Sequence, residues 1–459
     1  MVPSGDQVRV LGTTYVPLLR PPPPNLEQIP LSFFDAWFLP QPPIQRLFLY
    51  DGAGADGLQR PSSPSLVRSL KLSLADAIAI FFPLAGKLTY LPSAGDNVVI
   101  IDCSPSAVGA GVAFLEAEAS GDARRLSGQA RHDVPAFLGL VPSLEASELP
   151  APVLAVQVTR FHGGGLAVGV AMHHAVADGQ SFWRFMAAWS AAAFGGGCPV
   201  ALTPTFDRSA IVHPMATEMA RGILRKVTPE LPLAYVAAAR LHETTTLELD
   251  RHRVDRLKNH IAEELTETTV RPSTFVAVSS LVWSAVVQAR SLDPGARTRL
   301  LFPGDCRRRL DPPVAEGYFG NCARGCVAEA AAGDLLRGGG ISGASRAIRE
   351  AVDAFVARPL AEIDAWFDRV GGLLREPGFV AVTASPRFSP YSAADLGWGA
   401  PSRAGWSSSR GAHPRAWWSS RAGGRAAACR CRRVSARCTC RRSGRECLVS
   451  VCSDVACVV

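Results

Sequence analysis

The sequence predicts an α/β protein of two domains, with mixed β-sheets flanked by helices. Its 459 residues are 47% hydrophobic and 19% charged, which is typical of a globular protein, and a chain of this length can form two or three cores. Strand-like and helix-like stretches are interspersed without strict alternation, which favours mixed sheets over a doubly wound parallel sheet. The glycine- and proline-rich residues 195–215 are the best candidate for a boundary between the domains.

Hydrophobic periodicity defines the elements of the N-terminal half. Residues 65–82 predict an amphipathic helix because apolar residues recur on one face. Residues 153–161 predict a strand, and a glycine triplet then turns the chain into a second strand at residues 166–172, where large and small residues alternate. The apolar face of the predicted helix consists of Leu66, Leu70, Leu74, Ile78 and Phe81.

The C-terminal half shows the same mixture of elements. Residues 247–264 predict a strand followed by a helix. Residues 273–290 predict a helix for which Ser273 is a suitable N-cap, and a further helix is predicted over residues 345–356. These elements are enough to form a second domain with its own core.

The last part of the chain differs in character from the rest. We assign residues 1–194 to an N-terminal domain, residues 195–215 to a connecting loop and residues 216–403 to a C-terminal domain. Residues 404–459 contain no lysine, asparagine or glutamine, show no hydrophobic periodicity and predict a disordered Arg/Cys-rich tail. The alternative is a metal-binding tail, although zinc modules space paired cysteines by two to four residues and here one residue separates each pair: Cys429 and Cys431, and Cys438 and Cys440.

The net charge of +8 does not indicate a nucleic-acid partner. Residues 403–459 contain twelve arginines and two acidic residues, so the preceding 402 residues together carry a net charge of −2. Neither a signal-peptide pattern nor an apolar run of membrane-spanning length is present in the sequence, and cysteine is sparse outside the tail. We therefore expect a cytoplasmic protein that binds no nucleic acid and no membrane.

A histidine lies where a predicted strand ends and a predicted helix begins. His174 follows the strand at residues 166–172, Asp178 and Gly179 supply a turn, and Ser181 is a candidate N-cap of the next helix. Loops on rigid flanks commonly carry catalytic residues. Two alternatives stay open: His174 is an ordinary polar turn residue, or His173, His174 and Asp178 bind zinc, for which the local chain offers no further ligand.

Three motifs together resemble those of the plant BAHD acyltransferases, and most closely their anthocyanin and phenolic-glucoside malonyltransferase branch. They are His-Ala-Val-Ala-Asp-Gly at residues 174–179, Tyr-Phe-Gly-Asn-Cys at residues 318–322 and Asp-Leu-Gly-Trp-Gly at residues 395–399. The resemblance spans residues 6–403 and includes Leu-Ser-Phe-Phe-Asp at residues 31–35. A lone His-x-x-x-Asp would be a weak signal, whereas this ordered set is specific.

The resemblance implies two chloramphenicol-acetyltransferase-like domains joined by a crossover loop, with an active-site channel between them. It implies a monomer that binds no permanent cofactor or metal and uses an acyl-CoA as co-substrate. The branch implies malonyl transfer from malonyl-CoA to a hydroxyl of a phenolic or flavonoid glucoside. The alternatives are another acyl-CoA, hydroxycinnamoyl or acetyl, and an inactive relic of the fold.

The resemblance also implies roles for the residues of the first motif. His174 is the general base that takes the proton of the acceptor hydroxyl, after which the alkoxide attacks the thioester directly. Asp178 points away from the channel and pairs with an arginine, which is Arg307 in this sequence, and Gly179 permits the turn. The carboxylate of a malonyl donor also calls for a cation, for which Arg184 on the following helix is a candidate; the alternative is that Arg184 is an ordinary solvated helix arginine.

The remaining implied residues lie in the last part of the resemblance. Asp395, Gly397, Trp398 and Gly399 support the coenzyme A side, with Leu396 in place of the family's usual phenylalanine. By position, Thr383 stabilises the oxyanion of the tetrahedral intermediate. Family members continue with further strands and a helix, where this chain has its Arg/Cys-rich tail. We therefore hypothesise a frameshifted product whose second domain lacks strands that would cover its sheet edges.

Overall fold

The computed structural model describes most of the chain up to residue 406 and three short segments beyond it. The described residues are 8–51, 63–93, 96–129, 132–196, 199, 201, 203–228, 244–265, 270–373, 376–383, 388–406, 417–421, 446–452 and 457–458. The paired cysteines of the tail lie outside the described residues, and so does part of the connecting loop.

The N-terminal half combines nine strands with six helices among the described residues. The strands are β1 (Val8–Val16), β2 (Gln28–Pro30), β3 (Ile44–Tyr50), β4 (Lys87–Ser93), β5 (Asp96–Asp102), β6 (Val112–Ala119), β7 (Ala151–Pro152), β8 (Leu154–Phe161) and β9 (Leu166–Met172). The helices are α1 (Phe33–Ala36), α2 (Ser63–Ile80), α3 (Pro105–Val108), α4 (Ala123–Gly128), α5 (Val134–Gly139) and α6 (Gly179–Ala193).

The C-terminal half and the tail contain the remaining described elements. The helices are α7 (Ala216–Val227), α8 (Arg251–Glu264), α9 (Thr274–Ala289), α10 (Ala332–Leu336), α11 (Gly340–Ala357), α12 (Trp366–Leu373) and α13 (Pro390–Ala393). The strands are β10 (Thr244–Leu249), β11 (Arg297–Asp305), β12 (Ala323–Ala331), β13 (Phe379–Val382), β14 (Arg403–Trp406), β15 (Trp417–Arg421), β16 (Glu446–Cys452) and β17 (Cys457–Val458).

The sheets of both halves are mixed or antiparallel, as the sequence predicts. The largest has the strand order β1-β6-β8-β9-β3-β14, in which only the pairing of β6 with β8 is parallel among the described strands. Strand β9 lies between β8 and β3, and all of its residues are buried. The strand that leads to the motif histidine is therefore held firmly in the middle of a sheet.

Two elements from the C-terminal half pack on the N-terminal half. Helix α7 contacts α1 and β5, and β14 pairs antiparallel with β3 at the edge of the large sheet. The assignment of residues 216–403 to a C-terminal domain stays a prediction. The buried face of α7 includes Ile223 and Leu224, and chain order does not reveal which half a helix will cover.

The helix ends show one agreement and one correction. Ser273 caps α9, because its side chain accepts a hydrogen bond of 3.2 Å from the Val276 amide. Helix α6, in contrast, is capped by Asp178 and not by Ser181, since the Asp178 carboxylate accepts a 3.0 Å hydrogen bond from the Ser181 amide. A carboxylate at this end also interacts favourably with the helix dipole.

The described segments of the tail are strands. Strand β16 pairs with β10 and β15, and β17 pairs parallel with β13. The disordered tail that the sequence predicts for residues 404–459 stays a prediction, because most of these residues lie outside the described ones. Both β10 and β13 would otherwise present an unpaired edge of backbone amides and carbonyls, which added strands satisfy.

Within the part of the chain that the structure describes, none of the helices has the length and apolar character needed to cross a bilayer.

Candidate active site

His174 lies in a short turn between β9 and α6. The turn is fixed at its start, where the His173 amide donates to the Val153 carbonyl at 2.8 Å and the Val176 amide donates to the His173 carbonyl at 3.1 Å. His174 is half-buried as a residue, and its Nδ1 atom is buried. The residue is held at the end of a buried strand, and a rigid element of this kind fixes a side chain precisely.

The two adjacent histidines occupy opposite environments. His173 is fully buried, its Nδ1 accepts a 3.2 Å hydrogen bond from the Ala175 amide, and burial lowers the pKa of its imidazole to about 4. His173 is therefore neutral at pH 7 and belongs to the core. His174 instead stacks on Phe38, with ring centroids 4.1 Å apart and planes 5° from parallel. The first histidine thus lies in the core, and the second lies against an aromatic ring at a half-buried position.

The C-terminal half contacts the backbone of His174. Asn321 Nδ2 donates a hydrogen bond of 2.9 Å to the His174 carbonyl oxygen. Gly179, at the start of α6, lies against the ring of Phe388, which is also in the C-terminal half. The motif histidine therefore lies where the two halves of the chain meet, as the resemblance implies for its active-site channel.

Asp178 and Arg307 form a buried, bidentate ion pair. Arg307 Nη1 lies 2.8 Å from Asp178 Oδ2, and Arg307 Nη2 lies 3.0 Å from Asp178 Oδ1. Burial would raise the pKa of the Asp178 carboxyl, but the charge and hydrogen bonds of Arg307 hold it below its ordinary value. Burial would lower the pKa of the Arg307 guanidinium, but the charge and hydrogen bonds of Asp178 outweigh burial and raise this pKa. Both groups are thus charged at neutral pH.

Several neighbours complete this pair. The Cys322 amide donates to Asp178 Oδ2 at 3.1 Å, and Arg307 Nη2 donates to the Gly320 carbonyl at 3.0 Å. The Ser181 hydroxyl lies among them and accepts hydrogen bonds from Arg307 Nη2 at 3.2 Å and from the Gly320 amide at 3.0 Å. The cluster joins the start of α6 to the residues before β12, so it fixes the position of the histidine turn.

This arrangement bears on the metal alternative. The carboxylate of Asp178 is occupied by Arg307 and by two backbone amides, and His173 is buried with its Nδ1 engaged. Among the residues that the structure describes, no three His, Cys, Asp or Glu side chains are grouped to bind a metal ion. The three residues considered as zinc ligands thus face three different environments.

Gly179 owes its identity to space and not to an unusual backbone angle. The turn was expected to need glycine, yet Gly179 is not among the residues with positive φ. A Cβ atom at this position would lie 3.1 Å from the Phe388 ring, so the ring would have to shift by a few tenths of an ångström to accept a side chain. Close approach of an aromatic ring therefore replaces the turn as the reason for this glycine.

The Asp-Leu-Gly-Trp-Gly segment forms a tight turn against α6. The Asp395 carboxylate accepts hydrogen bonds from the Gly397 and Gly399 amides at 3.1 and 3.0 Å, and these glycines have φ angles of +91° and +98°. The Trp398 ring packs edge-on against Tyr50 of β3, with centroids 5.8 Å apart. Glycine is needed at both positions because other residues rarely adopt such angles. The support of the coenzyme A side that the resemblance implies for this segment stays a prediction.

Two further residues were proposed from position alone. Arg184 on α6 donates to the Ala201 carbonyl at 2.7 Å and to the Glu316 carbonyl at 2.6 Å, so its guanidinium ties α6 to the connecting loop and to the C-terminal half. Thr383 directly follows β13 and is half-buried. Their roles in binding the donor carboxylate and the oxyanion stay predictions.

Asp35 and Arg208 join this region without having been predicted for it. Asp35 is fully buried and receives a 2.9 Å hydrogen bond from Arg208 Nε. The Ser-x-x-Asp spacing from Ser32 to Asp35 is a signal for a capping box, which the structure contains, but it does not identify the arginine. Arg208 begins a short 3₁₀ helix (Arg208–Ala210), and only the tertiary fold brings it to Asp35.

Comparison with known proteins identifies relatives along most of the chain. A model described as "Transferase family" matches residues 20–413. "Phenolic glucoside malonyltransferase 2" from Arabidopsis thaliana is 31% identical over 392 residues, which cover 82% of this chain and 84% of the relative. "Malonyl-coenzyme:anthocyanin 5-O-glucoside-6'''-O-malonyltransferase" from Salvia splendens is 31% identical over 416 residues, covering 85% of this chain and 84% of the relative.

Solved structures share the fold. Vinorine synthase superposes with a TM-score of 0.67 at 21% identity, covering 90% of this chain and 91% of that structure. TRI101 from F. sporotrichioides, complexed with coenzyme A and T-2, superposes with a TM-score of 0.60 at 15% identity, covering 82% of this chain and 88% of that structure. The predicted fold class is confirmed by these likenesses and by the mixed sheets described above.

We predict that Arg307→Lys strongly destabilises the protein. A lysine provides one point charge in place of the planar fork that binds both Asp178 oxygens, and it leaves part of a buried carboxylate unsatisfied. The free energy of unfolding should fall by about 2–4 kcal/mol in urea titrations. The matched control is Arg308→Lys, because Arg308 is 82% exposed and lies 3.7 Å from an exposed Glu316. A similar loss in both variants would contradict the prediction.

We predict that His173 makes the fold sensitive to mild acid. The unfolded chain binds a proton at this histidine near pH 6.5, whereas the folded chain does so only near a pKa of about 4, so stability is lost as pH falls between these values. His173→Asn keeps an acceptor for the Ala175 amide and cannot titrate. Between pH 7 and pH 5 it should lose about 2 kcal/mol less stability than wild type in urea titrations.

His132 provides the internal reference for this measurement. Burial and the charge of Arg403 lower the pKa of its imidazole to about 3, so it destabilises wild type and variant equally in acid. An identical pH dependence in the two proteins would show that His173 does not contribute.

Proposed function

The chain belongs to the BAHD transferase family and is an acyl-CoA-dependent O-acyltransferase, and on this premise we propose that it transfers malonyl from malonyl-CoA to a hydroxyl group of a phenolic or flavonoid glucoside. The donor and acceptor classes are supported by the names of its relatives, which include phenolic glucoside and anthocyanin malonyltransferases. The observation that carries the proposal is the placement of His174 at a strand end between the two halves of the chain.

The reaction needs one proton carrier and no covalent intermediate. The His174 imidazole takes the proton of the acceptor hydroxyl, and the resulting oxygen nucleophile attacks the thioester carbonyl carbon. The tetrahedral intermediate then collapses with cleavage of the carbon–sulfur bond. The protonated imidazole returns the proton to the departing thiolate, so the products are the ester and free coenzyme A. A base of this kind contributes about 10²- to 10⁴-fold in rate.

The residues around His174 support this step by fixing the turn that carries it or by binding the reactants. Asp178 is committed to Arg307 and so fixes the turn without exchanging protons with substrate. Thr383 is proposed to donate to the oxyanion, and Arg184 is proposed to bind the free carboxylate of the malonyl group. Asp395, with the turn through Gly399, is proposed to support the side on which coenzyme A binds.

Location and assembly complete the proposal. We expect the protein to act in the cytoplasm as a monomer. Size-exclusion chromatography with light scattering measures the oligomeric state directly, and a stable dimer would contradict the expectation of a monomer.

We predict thiol release from malonyl-CoA in the presence of a flavonoid glucoside. The initial rate with malonyl-CoA should exceed the rates with acetyl-CoA and coumaroyl-CoA by about tenfold or more, since a charged group recognised by a cation discriminates strongly. His174→Ala should lower kcat by about 10²- to 10⁴-fold. Arg184→Gln should reduce the preference for malonyl-CoA while retaining transfer from acetyl-CoA.

Two outcomes would separate the alternatives. Equal rates with all three donors would exclude the malonyl assignment and retain the acyltransferase. Binding of coenzyme A without product formation, unchanged by His174→Ala, would instead identify an inactive relic of the fold.

A further inference from the structure

We propose that Asp35, Asn321 and Phe38 position the imidazole of His174, so that a segment far earlier in the chain sets the rate of the chemical step. The proposal rests on the proposed role of His174 as the general base. It assigns a positioning role to residues that lie outside the His-x-x-x-Asp motif and that act through His174.

The anchor of this arrangement is the Asp35 carboxylate. It is fully buried, and its Oδ2 accepts hydrogen bonds from the Ser32 amide at 3.1 Å, the Ser32 hydroxyl at 2.7 Å and Arg208 Nε at 2.9 Å. Its Oδ1 accepts from the Asn321 amide at 2.9 Å. A buried carboxylate is tolerated only when donors and an opposite charge surround it, so this group is held from several directions at once.

Asn321 connects the Asp35 carboxylate to the backbone of His174. Its Nδ2 donates to Asp35 Oδ1 at 3.0 Å and to the His174 carbonyl at 2.9 Å. Both partners are acceptors, so the two hydrogens of the amide nitrogen are used and the orientation of the carboxamide is determined. The peptide group of His174 therefore has a fixed point that lies outside its own turn.

Phe38 connects the Asp35 backbone to the imidazole ring of His174. The Phe38 amide donates to the Asp35 carbonyl at 3.0 Å, which places the Phe38 side chain relative to the buried carboxylate. The ring of Phe38 then lies parallel to the imidazole, with 4.1 Å between centroids. Parallel contact opposes tilting of the imidazole and leaves the in-plane directions of its nitrogens uncovered by this contact.

Together, the two contacts restrict His174 at both ends of its side chain. Asn321 holds the backbone of His174 and Phe38 holds its ring. Both residues are connected to Asp35 by hydrogen bonds. Proton transfer depends on alignment, and a displacement of about 1 Å at a reacting group costs about 10²-fold in rate. Loss of either contact should therefore lower kcat with little effect on binding of the acyl-CoA.

The test compares Phe38→Leu and Asn321→Ala with wild type. In each variant we expect kcat to fall about 10- to 100-fold while KM for malonyl-CoA stays within about twofold. Phe38→Tyr keeps the aromatic face and should restore kcat to within about threefold of wild type. Phe38 is half-buried, so Phe38→Leu should remain folded even if the buried Asn321 does not tolerate substitution.

The matched control is Phe275→Leu. Phe275 is a partly buried phenylalanine on α9 that packs against Phe302, with centroids 5.4 Å apart. Its replacement should leave kcat unchanged. A kcat within threefold of wild type in folded Phe38→Leu, or an equal decrease in Phe275→Leu, would overturn the proposal.

A spectroscopic measurement separates this inference from the proposed function. If wild type transfers no acyl group from any of the three donors, the proposed function fails but the positioning contact remains testable. In ¹⁵N-histidine NMR spectra, the His174 ring resonances are identified by their loss in His174→Ala. They should shift in Phe38→Leu and not in Phe275→Leu, and unchanged resonances in Phe38→Leu would exclude the stacking contact.

Discussion

The position of the turn that carries His174 depends on the buried pair of Asp178 and Arg307. Neither charge is tolerated in the interior alone, because the desolvation of an unpaired ion costs several kcal/mol. Asp178 belongs to the first half of the chain and Arg307 to the second, so the pair forms only when both halves are folded against each other. Since Asp178 also caps α6, the same carboxylate fixes the helix that follows His174.

The residues before β12 connect this pair to the rest of the site. Gly320 interacts with Ser181 and Arg307, Asn321 with Asp35, and the Cys322 amide with Asp178. Two of these three consecutive residues contact buried carboxylates from different parts of the chain, and Gly320 contacts the arginine and the serine beside one of them. This gives a physical reason why the short motif at residues 318–322 accompanies the histidine motif: its backbone and one amide side chain hold the turn that carries His174.

The sequence predicted the elements that depend on local pattern and missed those that depend on tertiary packing. The strand before His174 and the cap at Ser273 follow from alternation and from side-chain chemistry within a few residues. The partner of Asp178 came from the family resemblance, and no spacing rule identifies it. Arg208 and the stacking of Phe38 on His174 join residues that are distant in the chain, so no sequence period encodes them. The cap of α6 was misassigned because Asp178 and Ser181 are both good capping types.

The network around His174 lies entirely before the Arg/Cys-rich tail. Its members, from Ser32 to Cys322, are held by contacts among themselves, and the Asp395 turn is closed by its own glycine amides. Strands β16 and β17 of the tail pair with β10 and β13 of the C-terminal half, whereas β14, which carries the first residues of the tail, pairs with β3 of the large sheet. An altered tail would therefore act first on the stability of the sheets that these strands extend. It would reach the network around His174 indirectly, through the elements that supply Arg307 and Asn321 and through the sheet that holds β9.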